Sequence, residues 1–294
     1  MKKFKATVNS MKEYSVTKED FEEALIINDK LKQNDKYYGI CPYCDSPVRL
    51  VGLTYEIIRT PFAQHTENSI AGVAEKTVES FYCPANTHKK TCDIDSRLQK
   101  ETPRSLEIKK IFIENFDVIA KIINTHSDIY YSKEEKKKLF INACKSKIWL
   151  FPEISESNIP FILLYCKQPE EITKKLIKVN SNLYNFLKNL NVELNESFIK
   201  DYVIIAPKEY KKVEHIQYSF THHRRTFNKN DDYTETIHAL VTKSRRFEEP
   251  PVSDYYTFAD EKIIIDHQEL YNKINYYNRI QKRDTELLAE IING

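Results

Sequence analysis

Glycine is scarce in this chain, with four residues among 294. The shortage excludes the usual phosphate-cradling loops. A dinucleotide fingerprint needs three closely spaced glycines, and a P-loop needs two followed by Lys. Neither pattern occurs, so a nucleotide-dependent enzyme of ordinary build is not expected. Long apolar runs are also lacking: nothing approaches the ~18 consecutive residues of a membrane span. The opening MKKFKATVNSMKEYS is basic but has no hydrophobic segment behind it, unlike a secretory signal. Nor does one sign of charge dominate. There are 45 basic and 43 acidic side chains, net +2, so any attraction to nucleic acid must come from a local patch. No Gly-x-Ser-x-Gly elbow and no His-Glu-x-x-His pair is present. Together these absences lead us to expect a cytoplasmic protein with no membrane partner. In a reducing compartment, its six cysteines read as metal ligands or buried thiols rather than disulfides.

Lys, Asn, Ile and Tyr are abundant instead. All four have A/T-rich codons, which fits a low-GC genome and devalues lysine runs as signals. KEEKKK at 133–138 is read as a solvated helix face. Hydrophobic residues at 41% and aromatics at 12% suffice for real cores.

The pattern along the chain predicts an α+β protein: an N-terminal zinc-knuckle module, a helical middle and a small α+β C-terminal part. Residues 1–36 form a helical lead-in, with a helix over 17–32 capped by Thr17. Residues 37–100 are cysteine-rich, with Pro and Gly punctuation. There PVRLVGL and YEIIRT resemble paired strands, and the three internal glycines, Gly39, Gly52 and Gly72, mark tight turns. Residues 101–200 are helical. One helix is expected over 103–124, one opened by a Ser132/Glu135 capping box, and two more near 170–179 and 182–190. Residues 201–294 carry strands at DYVIIAP, VEHIQYSFTH, ETIHALVTK and EKIIID. In the second of these, Ile216, Tyr218 and Phe220 face one way. A last helix opens with an Asp266/Glu269 capping box.

The cysteine-rich stretch carries the strongest chemistry. Cys41 and Cys44 are followed by His65, Cys83, His88 and Cys92, while only Cys144 and Cys166 lie elsewhere. Cys-x2-Cys is the spacing of a knuckle whose backbone amides support two thiolates on Zn²⁺. A redox pair would open a helix after a strand, but strand-like PVRLVGL follows here. Chance clustering of unliganded thiols is the other alternative. The preferred ligand set is Cys41, Cys44, His65 and Cys83, because the Cys83-Pro84 turn echoes Cys41-Pro42. The rival set replaces His65 with Cys92, with His88 a bystander. Four protein ligands close the coordination sphere, so the Zn²⁺ would be structural. It would stabilise a module whose own apolar core is thin.

The phrase CPYCDSPVRLVGL…PFAQH resembles the short N-terminal zinc-type module of CoiA-like competence proteins. In that family a Cys-x-x-Cys knuckle, a strand pair with a glycine and a His-containing phrase follow one another. The resemblance covers a short part of the chain and departs from the family where PFAQH lacks a His-Phe-x-His pairing. It implies a link to DNA handling. The nuclease-like region of that family has no counterpart here.

A second conspicuous stretch is SFTHHRRTFNKNDDYTETIHALVTKSRRFEEPP. Arg224, Arg225 and Phe227 sit where a strand is expected to end in a loop at 222–234, and Arg245 and Arg246 lie at the opposite end of the hairpin. Arg side chains can contact a nucleic-acid backbone while Phe227 offers a stacking face. The plainer reading is a solvated hairpin whose charges are offset by Asp231, Asp232, Glu248 and Glu249. His222 and His223 are the catalytic candidates, as base or metal ligand. Adjacent strand residues point to opposite faces, so at most one reaches a given site. A restriction-type nuclease core of Asp95, Glu107 and Lys109 is set aside, because Glu107 and Lys109 fall on a helix where that chemistry needs a strand. Cys144 and Cys166 read as buried thiols.

The sequence therefore leads to a zinc-stabilised binding protein acting on nucleic acid or on a nucleic-acid-handling machine. Composition and the CoiA-like resemblance place it in a mobile element or defence locus. The alternatives are a metal-dependent nuclease or hydrolase using the C-terminal histidines, and a protein–protein adaptor with a tyrosine-rich surface. No motif decides whether the protein is an enzyme.

Overall fold

The computed structural model describes residues 1–8, 10, 12–53, 60–86, 93–213, 216–227, 233–243 and 256–280. The chain divides into two compact units, Met1–Leu98 with Arg225–Thr234 and Gln99–Arg224 with Glu235–Gly294.

In the first unit, β1 (Lys3–Phe4) pairs with β2 (Tyr14–Ser15) ahead of helix α1 (Lys18–Ile27). Thr17 caps α1 by accepting the Asp20 amide at 3.2 Å, and the Asp20 carboxylate reaches back to the Ser15 amide at 2.6 Å. Four antiparallel strands follow as a meander: β3 (Lys32–Gln33), β4 (Lys36–Ile40), β5 (Pro47–Val51) and β6 (Phe62–His65). PVRLV thus pairs with KYYGI and FAQH; residues 54–59, which hold most of the expected YEIIRT strand, lie outside the described residues. The register sets Ile40 opposite Pro47 and Val48 opposite His65. The end of β4, the start of β5 and the end of β6 therefore meet at one end of the sheet.

The apolar core of this unit is larger than its sequence promised. Phe4, Tyr14, Phe21, Leu31, Ile40, Val48 and Leu50 are buried together, and Cys41, Cys44 and Cys83 belong to the same cluster. Each large side chain so buried contributes about 2 kcal/mol. Gly39 is in strand β4, not a turn. A Cβ there would lie 2.6 Å from the Phe4 ring, so glycine permits Phe4 to lie against the strand. Gly52 (φ 88°) and Gly72 (φ 73°) do occupy left-handed turns.

The second unit opens with α2 (Pro103–Glu114), capped by Thr102 and Ser105. The helix expected over 103–124 is broken at Asn115 and resumes as α3 (Phe116–His126). Asn115 leaves helical geometry, and its backbone and side-chain N–H groups both donate to Ile111 O at 3.0 Å. After β7 (Ile129–Tyr130), helix α4 (Lys133–Lys145) carries the expected Ser132/Glu135 capping box. Helix α5 (Ile159–Tyr165) is almost entirely buried. The helix expected at 170–179 is instead β8 (Glu170–Glu171) and β9 (Leu176–Lys178), separated by Lys174 at φ 63°. Sheet pairing overrides helical spacing there. Helix α6 (Asn182–Asn189) forms as expected.

Strands β10 (Leu194–Glu196) and β11 (Tyr202–Ile205) join β9 and β7 in a sheet of order β10-β11-β9-β7. A second sheet has the order β14-β13-β12-β8, with β12 (Ile216–Phe227), β13 (Tyr233–Lys243) and β14 (Tyr256–Ile264). Ile216, Tyr218 and Phe220 are buried as the alternation required. Strand β12 continues through Phe227, so residues 222–227 are strand and not loop. Helix α7 begins at residue 269. The expected Asp266/Glu269 capping box is replaced: Asp266 accepts the Gln268 amide at 2.8 Å, and Glu269 meets His126 and Lys273, each at 2.8 Å. Among the described residues, no helix is long and apolar enough to cross a membrane.

Candidate metal centre

The β4–β5 connection carries the Cys-x2-Cys pair. Cys41 directly follows β4 and Cys44 precedes β5. The turn is closed by the Cys41 amide donating to Ser46 O at 2.8 Å and the Asp45 amide to Cys41 O at 3.0 Å. Asp45 sits at φ 57°, a left-handed position that Asp tolerates better than most residues. Its carboxylate pairs with the buried Lys5 ammonium on the N-terminal segment. His65 ends β6, two strands away at the same end of the sheet. Cys83 arrives from a separate turn. A short helical segment, Val78–Phe81, leads into it, and Asn86 donates its amide to Cys83 O at 3.0 Å. Thr77 ties the two turns together: its hydroxyl meets Ser46 Oγ at 2.9 Å and donates to Cys44 O at 3.2 Å.

The four side chains converge. Their ligand atoms all lie within 4.8 Å of one another, and among the described residues no other Cys, His, Asp or Glu cluster does the same. Cys41 Sγ is 3.7 Å from Cys83 Sγ, and Cys44 Sγ is 3.3 Å from His65 Nε2. A disulfide would need ~2.05 Å. Tetrahedral Zn²⁺ with Zn–S ~2.3 Å and Zn–N ~2.0 Å places S···S edges near ~3.8 Å and S···N edges near ~3.5 Å. Both spacings lie near those edges and far from a disulfide's length. The chemistry of the donor set fits too. Burial raises the Cys41 thiol well above the ordinary range, reinforced by hydrogen bonding with Cys44 and Cys83. At Cys83 burial also pushes upward. That push is outweighed by hydrogen bonds from Cys41 and Cys44, the Ala85 amide and the nearby Arg225 charge, leaving the thiol well below the ordinary range. Crowded sulfurs cannot all ionise without a cation to hold them. The Cys₃His cluster can therefore coordinate a metal ion. The rival Cys92, with His88, lies outside the described residues.

The Cys-x2-Cys turn also carries an aromatic contact that spacing alone did not reveal. Tyr43, between the two cysteines, packs against Phe227 (ring centroids 5.2 Å) and Tyr233 (5.1 Å), which pack on each other at 5.4 Å. Arg225 Nε donates to the Tyr233 hydroxyl at 3.0 Å. Phe227 thus packs within this unit, and Arg225 is half-buried beside the Cys₃His cluster. Arg224 is exposed. Arg245 and Arg246 lie outside the described residues.

The two histidine candidates go to opposite faces. His222 is exposed at φ 51°, its ring 5.4 Å from that of His238. The His223 side chain is 1% exposed, held by Glu153 at 3.0 Å and Glu235 at 2.5 Å. They share no ligand site. Cys144 and Cys166, expected to be buried, are half-exposed. Glu107 and Lys109 fall on α2, as their exclusion required.

No known protein family, curated protein or solved structure matches this chain.

Proposed function

We propose that Cys41, Cys44, His65 and Cys83 hold one structural Zn²⁺, and that the module so formed belongs to a binding protein acting on nucleic acid or on a nucleic-acid-handling machine. The observation that carries the metal reading is the convergence of four ligand atoms from three separate chain segments to within 4.8 Å of one another, with 3.7 Å for one S···S pair and 3.3 Å for one S···N pair. Four protein ligands leave no position for a substrate or a water nucleophile, so the ion folds the module and performs no hydrolysis. The resemblance of CPYCDSPVRLVGL…PFAQH to the zinc-type module of CoiA-like proteins supports DNA handling and, with the A/T-rich-codon composition, a mobile-element or defence setting. Arg224 (exposed on β12), Arg225, Arg245 and Arg246 are the cations offered to phosphate, and Phe227 is the stacking face.

Electrophoretic shift with single- and double-stranded DNA and RNA tests the binding reading. Affinity is expected to fall as salt rises, and each Arg→Ala change at 224, 245 or 246 should reduce the salt slope by about 1. Absence of binding, or affinity indifferent to salt, overturns it.

A further inference from the structure

A polar cluster in the second unit is unused by the metal centre, and its geometry is independent of that reading. The segment 153–158 is fixed by Asn158, which is fully buried. Its Oδ1 accepts the Ser155 amide at 2.7 Å, and its Nδ2 donates to Glu153 O at 3.0 Å and Glu235 Oε1 at 2.7 Å. This anchoring leaves the neighbouring Ser157 half-buried with a defined partner: its Oγ lies 2.8 Å from His267 Nδ1. The opposite nitrogen, His267 Nε2, is shielded from solvent and lies 3.4 Å from Glu235 Oε2, a charge contact and not a hydrogen bond. Glu235, 1% exposed, is itself set by Asn158 and by His223, whose far nitrogen meets Glu153. The backbone repeats the link: the Ile265 amide donates to Glu235 O at 2.9 Å, placing His267 beyond the end of β14.

We propose that Ser157, His267 and Glu235 form a nucleophilic acyl-transfer centre that accepts small activated carboxylic esters. A hydroxyl nucleophile, an imidazole base within hydrogen-bond reach and a carboxylate orienting that base are the three parts such a centre needs, and they are recognised by geometry and not by sequence position. The Glu235 carboxylate, 3.4 Å from His267 Nε2, acts on the imidazole through its charge and favours the tautomer protonated at Nε2, which leaves Nδ1 to receive the Ser157 proton. Ser157 Oγ bonds to the ester carbonyl carbon while its proton passes to His267 Nδ1. His267 returns that proton to the departing alkoxide as the C–O bond breaks, giving acyl-Ser157 and an alcohol. Water then loses a proton to His267 as its oxygen joins the acyl carbon, and Ser157 leaves reprotonated with release of the acid. Ser157 and His267 are the catalytic residues; Glu235 and His223 are positioning residues. The sequence search missed the centre because it looked for a Gly-x-Ser-x-Gly elbow, whereas this serine stands in a loop held by a buried asparagine.

The test is labelling of the full chain by a fluorophosphonate, with the adduct located by mass spectrometry, alongside hydrolysis of p-nitrophenyl acetate. The expected result is one adduct on Ser157, with a rate that rises as an imidazole deprotonates. Ser157→Ala should lose the adduct, and His267→Gln should slow labelling at least about a hundredfold and flatten its pH profile. Ser157→Cys covers the case in which alanine disturbs the loop: iodoacetamide should alkylate that thiol, again more slowly once His267→Gln is added. No adduct on the folded chain, or labelling and alkylation rates untouched by His267→Gln, overturns the proposal and leaves the cluster a packing network.

Discussion

Cys41 Sγ lies 3.7 Å from Cys83 Sγ although 42 positions separate the two residues. One turn joins the two inner strands of a four-stranded meander and the other follows a short helical segment, and Thr77 bonds the two together. Where two independent turns present thiols at this spacing, a cation is the natural third party. Most of what is expected of the first unit rests on the proposed Zn²⁺.

Chelation should act on one unit only. Trp149, the single tryptophan, belongs to the second unit, is buried, and donates its indole N–H to Glu101 at 3.0 Å. Adding a strong chelator is expected to change the tyrosine near-ultraviolet circular dichroism, to which Tyr37, Tyr38 and Tyr43 contribute. Trp149 emission should keep its wavelength. A red shift in that emission at the same chelator concentration would contradict the account.

The Lys5–Asp45 pair fixes the Cys-x2-Cys turn to the N-terminal segment. Both side chains are largely buried, at 8% and 15% exposure. Lys5→Ala removes the cation facing Asp45 and should destabilise the first unit by about 3 kcal/mol. Adding Asp45→Asn should recover most of this loss, since Asn also accepts the left-handed backbone at φ 57°. Denaturant unfolding of the single and double variants reads the difference. An additive loss in the double variant would show that the pair is not coupled.

His223 predicts the pH response of the second unit. Burial pushes its imidazole down, but hydrogen bonds and charge from Glu153 and Glu235 outweigh burial and raise it above the ordinary range. A raised histidine contributes stability that is complete below the unfolded value, ~6.5, and that is lost as pH climbs through the folded value. Urea midpoints read through Trp149 should therefore fall from about pH 6.5 upward. His223→Gln should flatten that fall while lowering stability at acid pH. A midpoint that rises over the same range would refute this.

Asp128 gives an earlier slope. Burial pushes its carboxyl up to about 6, against the hydrogen bond it accepts from the Leu183 amide. Its contribution is complete below the unfolded value near ~3.9 and is lost as pH rises through about 6. Asp128→Asn keeps an acceptor for Leu183 without the buried charge, so it should flatten the stability profile between those two values. At pH 7 the variant should be no less stable than the parent. Greater stability of the parent at pH 7 would mean that the carboxylate finds compensation elsewhere.

Some of this was legible in the residues alone. Capping residues announced α1 and α4 because their oxygens act locally: Thr17 and Ser132 satisfy amides three positions on. The convergence of Cys41, Cys44, His65 and Cys83 was legible because metal ligation restricts ligand spacing, and the paired Cys-Pro turns pointed to Cys83. The alternation of Ile216, Tyr218 and Phe220 identified a strand with one buried face. What could not be read was long-range. The apolar spacing of 170–179 suited a helix, yet Ile177 pairs opposite Ile129 and Val203 in a sheet assembled from distant segments. The spacing over 103–124 suited one helix, and nothing periodic betrays the side-chain bond by which Asn115 ends it. Tyr43 on Phe227, and Glu235 beneath His267, join residues whose separation erases any local signal.

X-ray absorption at the zinc edge, with elemental analysis of the purified chain, tests the metal centre most directly. The account predicts one zinc per chain with three sulfurs at ~2.3 Å and one nitrogen at ~2.0 Å, the nitrogen vanishing in His65→Ala. Four sulfur neighbours would hand the fourth position to another cysteine. A protein free of transition metal that keeps its shape in strong chelator would contradict the claim outright.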